Sequence, residues 1–227
     1  PEAREAPPMP EAGRDPSPNE RTVYEIELAF DPKERRLAGV TVVRARNRAA
    51  APTAEVRWKA FLNAFRAERL AVGDPLLKEH RARAYPADFA PGRLDVAAFY
   101  ADGEPAPFEL RGDSIVAALG EPWESGETRT FRLEWEAVLP KAHLRFGMKD
   151  DAYWFGNALP ILAVYDGEWR DDPYAGVGDP FFSDIADYRV RIAAPARYAV
   201  TATGTERKEE ALSTDERAVT AVEAPLV

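Results

Sequence analysis

The chain has 227 residues, a formal net charge of −9 and no cysteine. Without thiols it has no disulfides and no thiolate metal site, and the negative charge argues against nucleic acid, whose affinity comes from lysine and arginine. Its 5 Trp, 8 Tyr and 11 Phe are enough for a sizeable core, because each ring buries about 150–250 Å². The apolar run 159–165 is shorter than the roughly 18 residues of a membrane span, so we expect no membrane insertion.

Residues 1–20 are rich in proline, glutamate and alanine and contain almost no large apolar side chain. Such a segment cannot bury enough surface to offset its ordering entropy, and its prolines favour an extended spacer. We therefore predict a disordered or extended linker over 1–20 and a single domain over 21–227. Spacers of this kind often separate an exported domain from a membrane anchor, so we expect an exported or membrane-anchored protein that faces outward.

The remaining chain predicts an all-β domain. Short alternating segments between turn signals predict strands at Val23–Phe30, Leu37–Arg46, Ala54–Leu62, Leu94–Ala101, Phe108–Arg111, Ser114–Leu119, Thr128–Leu139, Tyr188–Ala193, Tyr198–Thr203 and Ala218–Glu223. The Asp102–Gly103 turn predicts a hairpin between 94–101 and 108–111. Asp74 followed by Pro75 predicts one short helix near 75–84. Many short strands at this spacing are typical of an antiparallel β-sandwich.

The segment Tyr153–Tyr188 is aromatic, irregular and interrupted by Asp–Gly and Asp–Pro turns. A long irregular segment inside a compact domain is usually functional, although aspartate and glycine are also ordinary turn residues. Its rings are therefore interpreted in two ways. They plug one end of the sandwich, or they face a ligand.

Motifs for catalysis and metal binding are missing. The two histidines, His80 and His143, lie far apart and outside any H-E-x-x-H pattern, so no zinc site is predicted. No serine lies in G-x-S-x-G. Calcium held by the aspartates of the central segment and a pair of catalytic carboxylates stay as weaker alternatives. The tetrapeptide Arg111–Ser114 is interpreted as a hairpin turn.

Four groups of residues carry a resemblance to a known family. They are Tyr24–Phe30 with Leu37–Val40; Trp58–Phe65 with Ala84–Gly92; Leu119–Gly126 with Leu139–Pro140 and Arg145–Gly147; and the stretch from Gly156 to Gly204 that includes Ala163–Gly167, Pro173–Tyr174 and Ala186–Val190. In their order and spacing they resemble the N-terminal domain of zinc aminopeptidases of the aminopeptidase N family. The likeness is closest to exported or membrane-bound bacterial members.

The resemblance implies a large, saddle-shaped antiparallel β-sandwich with one or two short helices, which packs on its own C-terminal catalytic domain. In that family the catalytic domain binds zinc and carries G-x-M-E-N and H-E-x-x-H, and neither motif occurs in this chain. The implied function is a non-catalytic metallopeptidase domain that forms one wall of the cleft where N-terminal residues are removed from peptides. We expect no catalytic residue, metal ligand or cofactor in this chain, and zinc in the catalytic domain.

Many members of the family lend a glutamine from a T-Q motif to the amino terminus of the peptide, and that motif is missing here. Asn157 is the nearest amide and the predicted stand-in, although it is also a turn residue after Gly156. The other predicted substrate-facing residues are Trp154, Tyr165, Trp169 and Tyr174. Two alternatives remain: a β-sandwich that binds a peptide or glycan on these rings, and a scaffold domain of an aminopeptidase-like protein without metal.

Overall fold

The computed structural model describes residues 21–67, 81–175, 181–212 and 216–223. The strands in these ranges are β1 (Thr22–Asp31), β2 (Arg36–Arg46), β3 (Thr53–Lys59), β4 (Arg93–Ala101), β5 (Glu104–Pro105), β6 (Phe108–Arg111), β7 (Ser114–Trp123), β8 (Thr128–Val138), β9 (Phe146–Lys149), β10 (Ala152–Phe155), β11 (Ile161–Leu162), β12 (Val164–Tyr165), β13 (Trp169–Arg170), β14 (Ala186–Pro195), β15 (Thr205–Ala211) and β16 (Glu216–Glu223). A 3₁₀ helix covers Phe61–Phe65, and residues 81–84 are helical.

The predicted linker at 1–20 lies outside the described residues. The helix predicted near 75–84 is described only over 81–84, where it is present. No helix within the described ranges is long and apolar enough to cross a membrane.

Two sheets carry most of the fold. The larger has eight strands in the order β15-β16-β14-β1-β2-β8-β4-β5, and the smaller has four in the order β11-β3-β7-β6. Strand β1 has the predicted alternation, because Tyr24, Ile26, Leu28 and Phe30 are buried and the residues between them are exposed. This period of two places one face of a strand on a core. The prediction of an all-β sandwich is confirmed.

Aromatic rings join the two sheets. The buried Trp58 ring of β3 lies 6.1 Å from Phe99 of β4 and 6.3 Å from Phe131 of β8, both edge to face. Trp123 of β7 contacts Phe131 at 5.3 Å. Because β3 and β7 belong to the smaller sheet, these rings place the core between the sheets.

The larger sheet is mixed rather than antiparallel throughout. Strand β1 pairs in parallel with β14, from Thr22 opposite Ala186 to Ala29 opposite Ala193. The hairpin predicted between 94–101 and 108–111 is wrong. The chain turns into β5 instead, and β6 pairs with β7 in the other sheet. Pro105 and Pro107 flank this crossing, and proline cannot donate to a ladder.

The strand predicted at Tyr198–Thr203 is also wrong. Residues 199–202 have no regular structure, and the next strand begins at Thr205. Strand β14 ends at Pro195, whose carbonyl accepts a hydrogen bond from the Tyr198 backbone at 3.0 Å. This turn leads the chain away from the sheet before the apolar alternation of 198–203 can pair.

Candidate functional site

The main cleft lies beside the central segment and has a volume of about 900 Å³. Apolar side chains of β1 and β14 line it together with residues 151–157, 159–161 and 197–203. Pockets for small ligands usually have roughly 300–1,000 Å³. Of the five predicted substrate-facing residues, Trp154 and Asn157 line this cleft.

Trp154 is fixed by the short hairpin of β9 and β10. It lies opposite Gly147 in the pairing of these strands, and its indole N–H donates to the Leu144 carbonyl at 2.6 Å. The ring is half-buried. A buried indole that has its hydrogen bond is stably oriented, so Trp154 presents a fixed apolar surface to the cleft.

Asn157 follows β10 at a sharp turn and has a φ of 60°. Asparagine tolerates this left-handed conformation better than most residues. A Cβ on the preceding Gly156 would lie 2.7 Å from the Arg145 carbonyl oxygen, so only glycine fits there. The Asn157 side chain is half-buried and makes no hydrogen bond with the described part of the chain. Its amide oxygen is therefore available to accept from a ligand.

Tyr165 and Trp169 lie elsewhere, opposite each other in the β12–β13 pair, with ring centroids 4.8 Å apart. The Tyr165 hydroxyl donates to the Pro52 carbonyl at 3.0 Å, and the Trp169 indole donates to the Thr53 hydroxyl at 3.4 Å. Tyr165 borders a separate, smaller cavity of about 190 Å³. These hydrogen bonds anchor the pair to the start of β3 and favour a structural role.

Tyr174 packs in a third place. Its ring lies 5.3 Å from Phe65 and 5.8 Å from Phe181, and its backbone N–H donates to the Asp113 carboxylate at 2.7 Å. Burial raises the pKa of the Tyr174 hydroxyl to about 12. The phenol is neutral near pH 7 and does not act as a base there. The structure therefore places Trp154 and Asn157 at the main cleft, Tyr165 and Trp169 together at a second place, and Tyr174 at a third.

A buried charge pair that no sequence motif indicated holds the segment of Tyr174 in place. The Lys59 ammonium donates to the backbone carbonyls of Asp171 and Asp172 at 3.0 and 2.7 Å and lies 3.5 Å from the Asp113 carboxylate. Lys59 and Asp113 are 2% and 8% exposed. The available signal was the position of Lys59, inside the otherwise apolar run from Trp58 to Leu62.

The turn predicted at Arg111–Ser114 is confirmed between β6 and β7, and Gly112 has a φ of 64°. The same turn supplies Asp113 to Lys59. Several central aspartates are instead paired with arginines, as Asp166 is with Arg170 at 2.9 Å. Within the described ranges, no group of three His, Cys, Asp or Glu side chains could hold a metal ion.

No protein-family model matches the sequence, and a comparison with curated proteins finds no similar sequence. A comparison with solved structures finds M1 zinc metallopeptidases from Deinococcus radiodurans. One of them, a mutant bound to a Tyr-Ser-Ala substrate, matches 89% of this chain at 16% identity with a TM-score of 0.54. The chain shares its fold with these peptidases.

The same fold recurs in the unmutated Deinococcus radiodurans M1 zinc metallopeptidase, at 16% identity and a TM-score of 0.53 over 89% of this chain. A two-domain M1 zinc metallopeptidase mutant bound to L-tryptophan matches with 16% identity and a TM-score of 0.54. This chain spans only 38–39% of the length of these structures. The remainder of each peptidase has no counterpart here.

Proposed function

We propose that the chain is the non-catalytic N-terminal domain of a zinc-dependent aminopeptidase. The observation that carries the proposal is the shared fold, which covers 89% of this chain and 38% of a substrate-bound M1 zinc metallopeptidase. The N-terminal position follows from the family resemblance of the sequence. Its partner is then a C-terminal catalytic domain of the same polypeptide, where zinc supplies the hydrolytic chemistry.

In this proposal the segment 153–174 forms one wall of the substrate cleft. Asn157 accepts a hydrogen bond from the amino terminus of the peptide, because its amide oxygen is uncharged and has no partner among the described residues. Trp154 provides an apolar surface beside it. Tyr165, Trp169 and Tyr174 support this wall through the contacts described above and do not touch the substrate.

The first test is the intact mass and metal content of the native protein, captured with an antibody against this domain. We expect a polypeptide far heavier than 25.2 kDa with about one bound zinc, as a single catalytic site requires. A heavy polypeptide without zinc would replace the peptidase with a scaffold protein. A product of the size of this chain would contradict the proposal.

The second test is the substitution Asn157→Gly in that full-length protein. Glycine removes the amide and keeps the left-handed backbone without strain, so we expect kcat/KM for aminoacyl substrates to fall by about tenfold to a hundredfold, the value of a hydrogen bond to a charged group. Asn157→Asp keeps the acceptor and should retain activity. Bound zinc should stay unchanged in both variants. Equal activity of the Gly variant and the wild type would remove Asn157 from the site.

A further inference from the structure

The main cleft contains a run of backbone that has no partner. Within the described ranges, residues 199–203 belong to no strand and make no backbone hydrogen bond. They line the cleft and are mostly exposed. Unpaired N–H and C=O groups in such a run are a template for pairing with another extended chain.

Apolar side chains line the same cleft. Leu159, Val190 and Val200 all line it and are each only half-buried. Covering such surface stabilises a complex by about 25 cal/mol for each Å² removed from water. An extended peptide that pairs with 199–203 directs every second side chain towards one face. A peptide with apolar residues at alternate positions therefore satisfies the backbone run and the apolar lining together.

One end of the cleft carries a cation. Arg197 lines the cleft and is exposed, and it makes no ion pair with a carboxylate in the described part of the chain. Its guanidinium donates to the Tyr198 hydroxyl at 2.9 Å, which in turn donates to Asp151. Arginine has five N–H donors, so others stay available for a carboxylate. Asp151 directly precedes β10 and Asn157 follows it, and a strand of four residues spans about 13 Å.

We propose that the main cleft binds an extended peptide with a free carboxyl terminus and apolar side chains at alternate positions. Its backbone pairs with residues 199–203, its apolar side chains contact Leu159, Val190 and Val200, and its carboxylate contacts Arg197. Binding itself requires only this chain. The further step, that the bound peptide is a substrate with its amino end towards Asn157, rests on the proposed function.

The test uses fluorescence anisotropy on the 227-residue chain with a pentapeptide that alternates leucine and serine and has an amino-terminal fluorescein. We expect saturable binding. The same peptide with N-methylated internal residues should bind about thirtyfold more weakly, because about two backbone hydrogen bonds are lost, each of which contributes about fivefold to the affinity. The peptide with a carboxyl-terminal amide should bind roughly threefold more weakly, because an exposed ion pair is weak. An all-serine peptide controls for the label.

Two protein variants remove the protein side of the contacts that the modified peptides remove. Thr201→Pro removes one N–H of the unpaired run and breaks no backbone hydrogen bond in the described part of the chain. We expect this variant to bind the peptide about fivefold more weakly. Thr201→Ala is the control, because it keeps the N–H and should bind the peptide as the wild type does. Arg197→Gln alters an exposed side chain. In that variant the acid and amide peptides should bind equally.

Three results would overturn the proposal. The first is no saturable binding of the leucine–serine peptide, and the second is equally tight binding of its N-methylated form. The third is an Arg197→Gln variant that prefers the acid peptide over the amide peptide as strongly as the wild type does. If Thr201→Pro disturbs the near-ultraviolet circular dichroism, the N-methylated peptide decides the same point on the wild type. These assays do not involve the catalytic domain. Peptide binding can therefore be absent while zinc and peptidase activity are found in the full-length protein. Peptide binding can also be present while zinc and peptidase activity are absent.

Discussion

Lys59 fastens the irregular segment around residue 171 to the smaller sheet. Its ammonium has two backbone carbonyl acceptors and one carboxylate neighbour, and it also lies 5.4 Å from the centre of the Phe61 ring. Beside it, Arg57 bonds the Asp171 carboxylate at 3.1 Å. A buried charge costs free energy unless it is paired and hydrogen-bonded. The Lys59 contacts satisfy that condition, so the lysine and the segment fix each other's position.

We expect Lys59→Met to lower the free energy of unfolding by roughly 3 kcal/mol, because it leaves Asp113 buried without its cation. Urea unfolding measures this loss, and amide exchange should accelerate at residues 171–174. Adding Asp113→Asn should recover part of the stability. Arg111→Met is the matched control, because it breaks an ion pair with Glu109 whose side chains are 56% and 58% exposed, and should cost less than about 1 kcal/mol. Equal losses for Lys59→Met and the control would contradict the role of the pair.

At the level of residues, the composition of a segment does not tell which of its side chains lie together. The aromatic content of 153–188 predicted a functional segment, and Trp154 and Asn157 of that segment line the main cleft. The same criterion also selected Tyr165 and Tyr174, because composition cannot say whether a ring is held by its own fold. Their anchoring partners, Pro52 and Asp113, lie far away in sequence.

At the level of elements, local alternation predicted strands well and pairing poorly. The clean alternation of Thr128–Leu139 became β8, in the middle of the larger sheet. The pattern of β1 was equally clear, but a half-buried strand has the same pattern in parallel and antiparallel pairs, so its parallel partner β14 was not predictable. The run 198–203 alternates too, and it found no strand to pair with.

Gly147 sets the geometry of the hairpin that carries Trp154. Its φ is 144°, and a Cβ there would lie 2.0 Å from the Ala142 carbonyl oxygen. We expect Gly147→Ala to lower the free energy of unfolding by roughly 3 kcal/mol through strain and overlap. Gly120→Ala, in β7, is the control, because a Cβ at Gly120 has nothing within 4 Å, and should change stability by less than about 0.5 kcal/mol.

Urea unfolding measures both glycine variants. The emission of Trp154 should change with Gly147→Ala, because the indole lies opposite this glycine and donates to the Leu144 carbonyl. An alanine variant as stable as the wild type would mean that the β9–β10 hairpin adapts easily, and that it does not hold Trp154 in one orientation. The sequence shows a glycine at position 147, but it does not show the nearby Ala142 carbonyl oxygen that leaves no room for a Cβ.

On the scale of the whole molecule, the sequence predicted a single domain over 21–227 but no contact between its distant parts. Among the described residues, a cluster of buried side chains includes residues of both main sheets. The parallel pair of β1 and β14 adds a second link, because it joins residues 22–29 to residues 186–193. Contacts between such distant parts of the chain depend on the complete fold and are not encoded in any local pattern.

Phe131 tests whether the sheets unfold as one unit. Its buried ring contacts Trp58 and Trp123 of the smaller sheet and Phe99 of its own sheet. We expect Phe131→Leu to lower the urea midpoints of far-ultraviolet circular dichroism and tryptophan fluorescence equally, with one transition in each, because loss of the ring loosens both sheets together. Leu110→Ala, at a side chain that is 39% exposed, should leave both midpoints unchanged. Separate transitions, or a shift in fluorescence alone, would mean that the two sheets are independent units and that the rings between them form an interface rather than a common core.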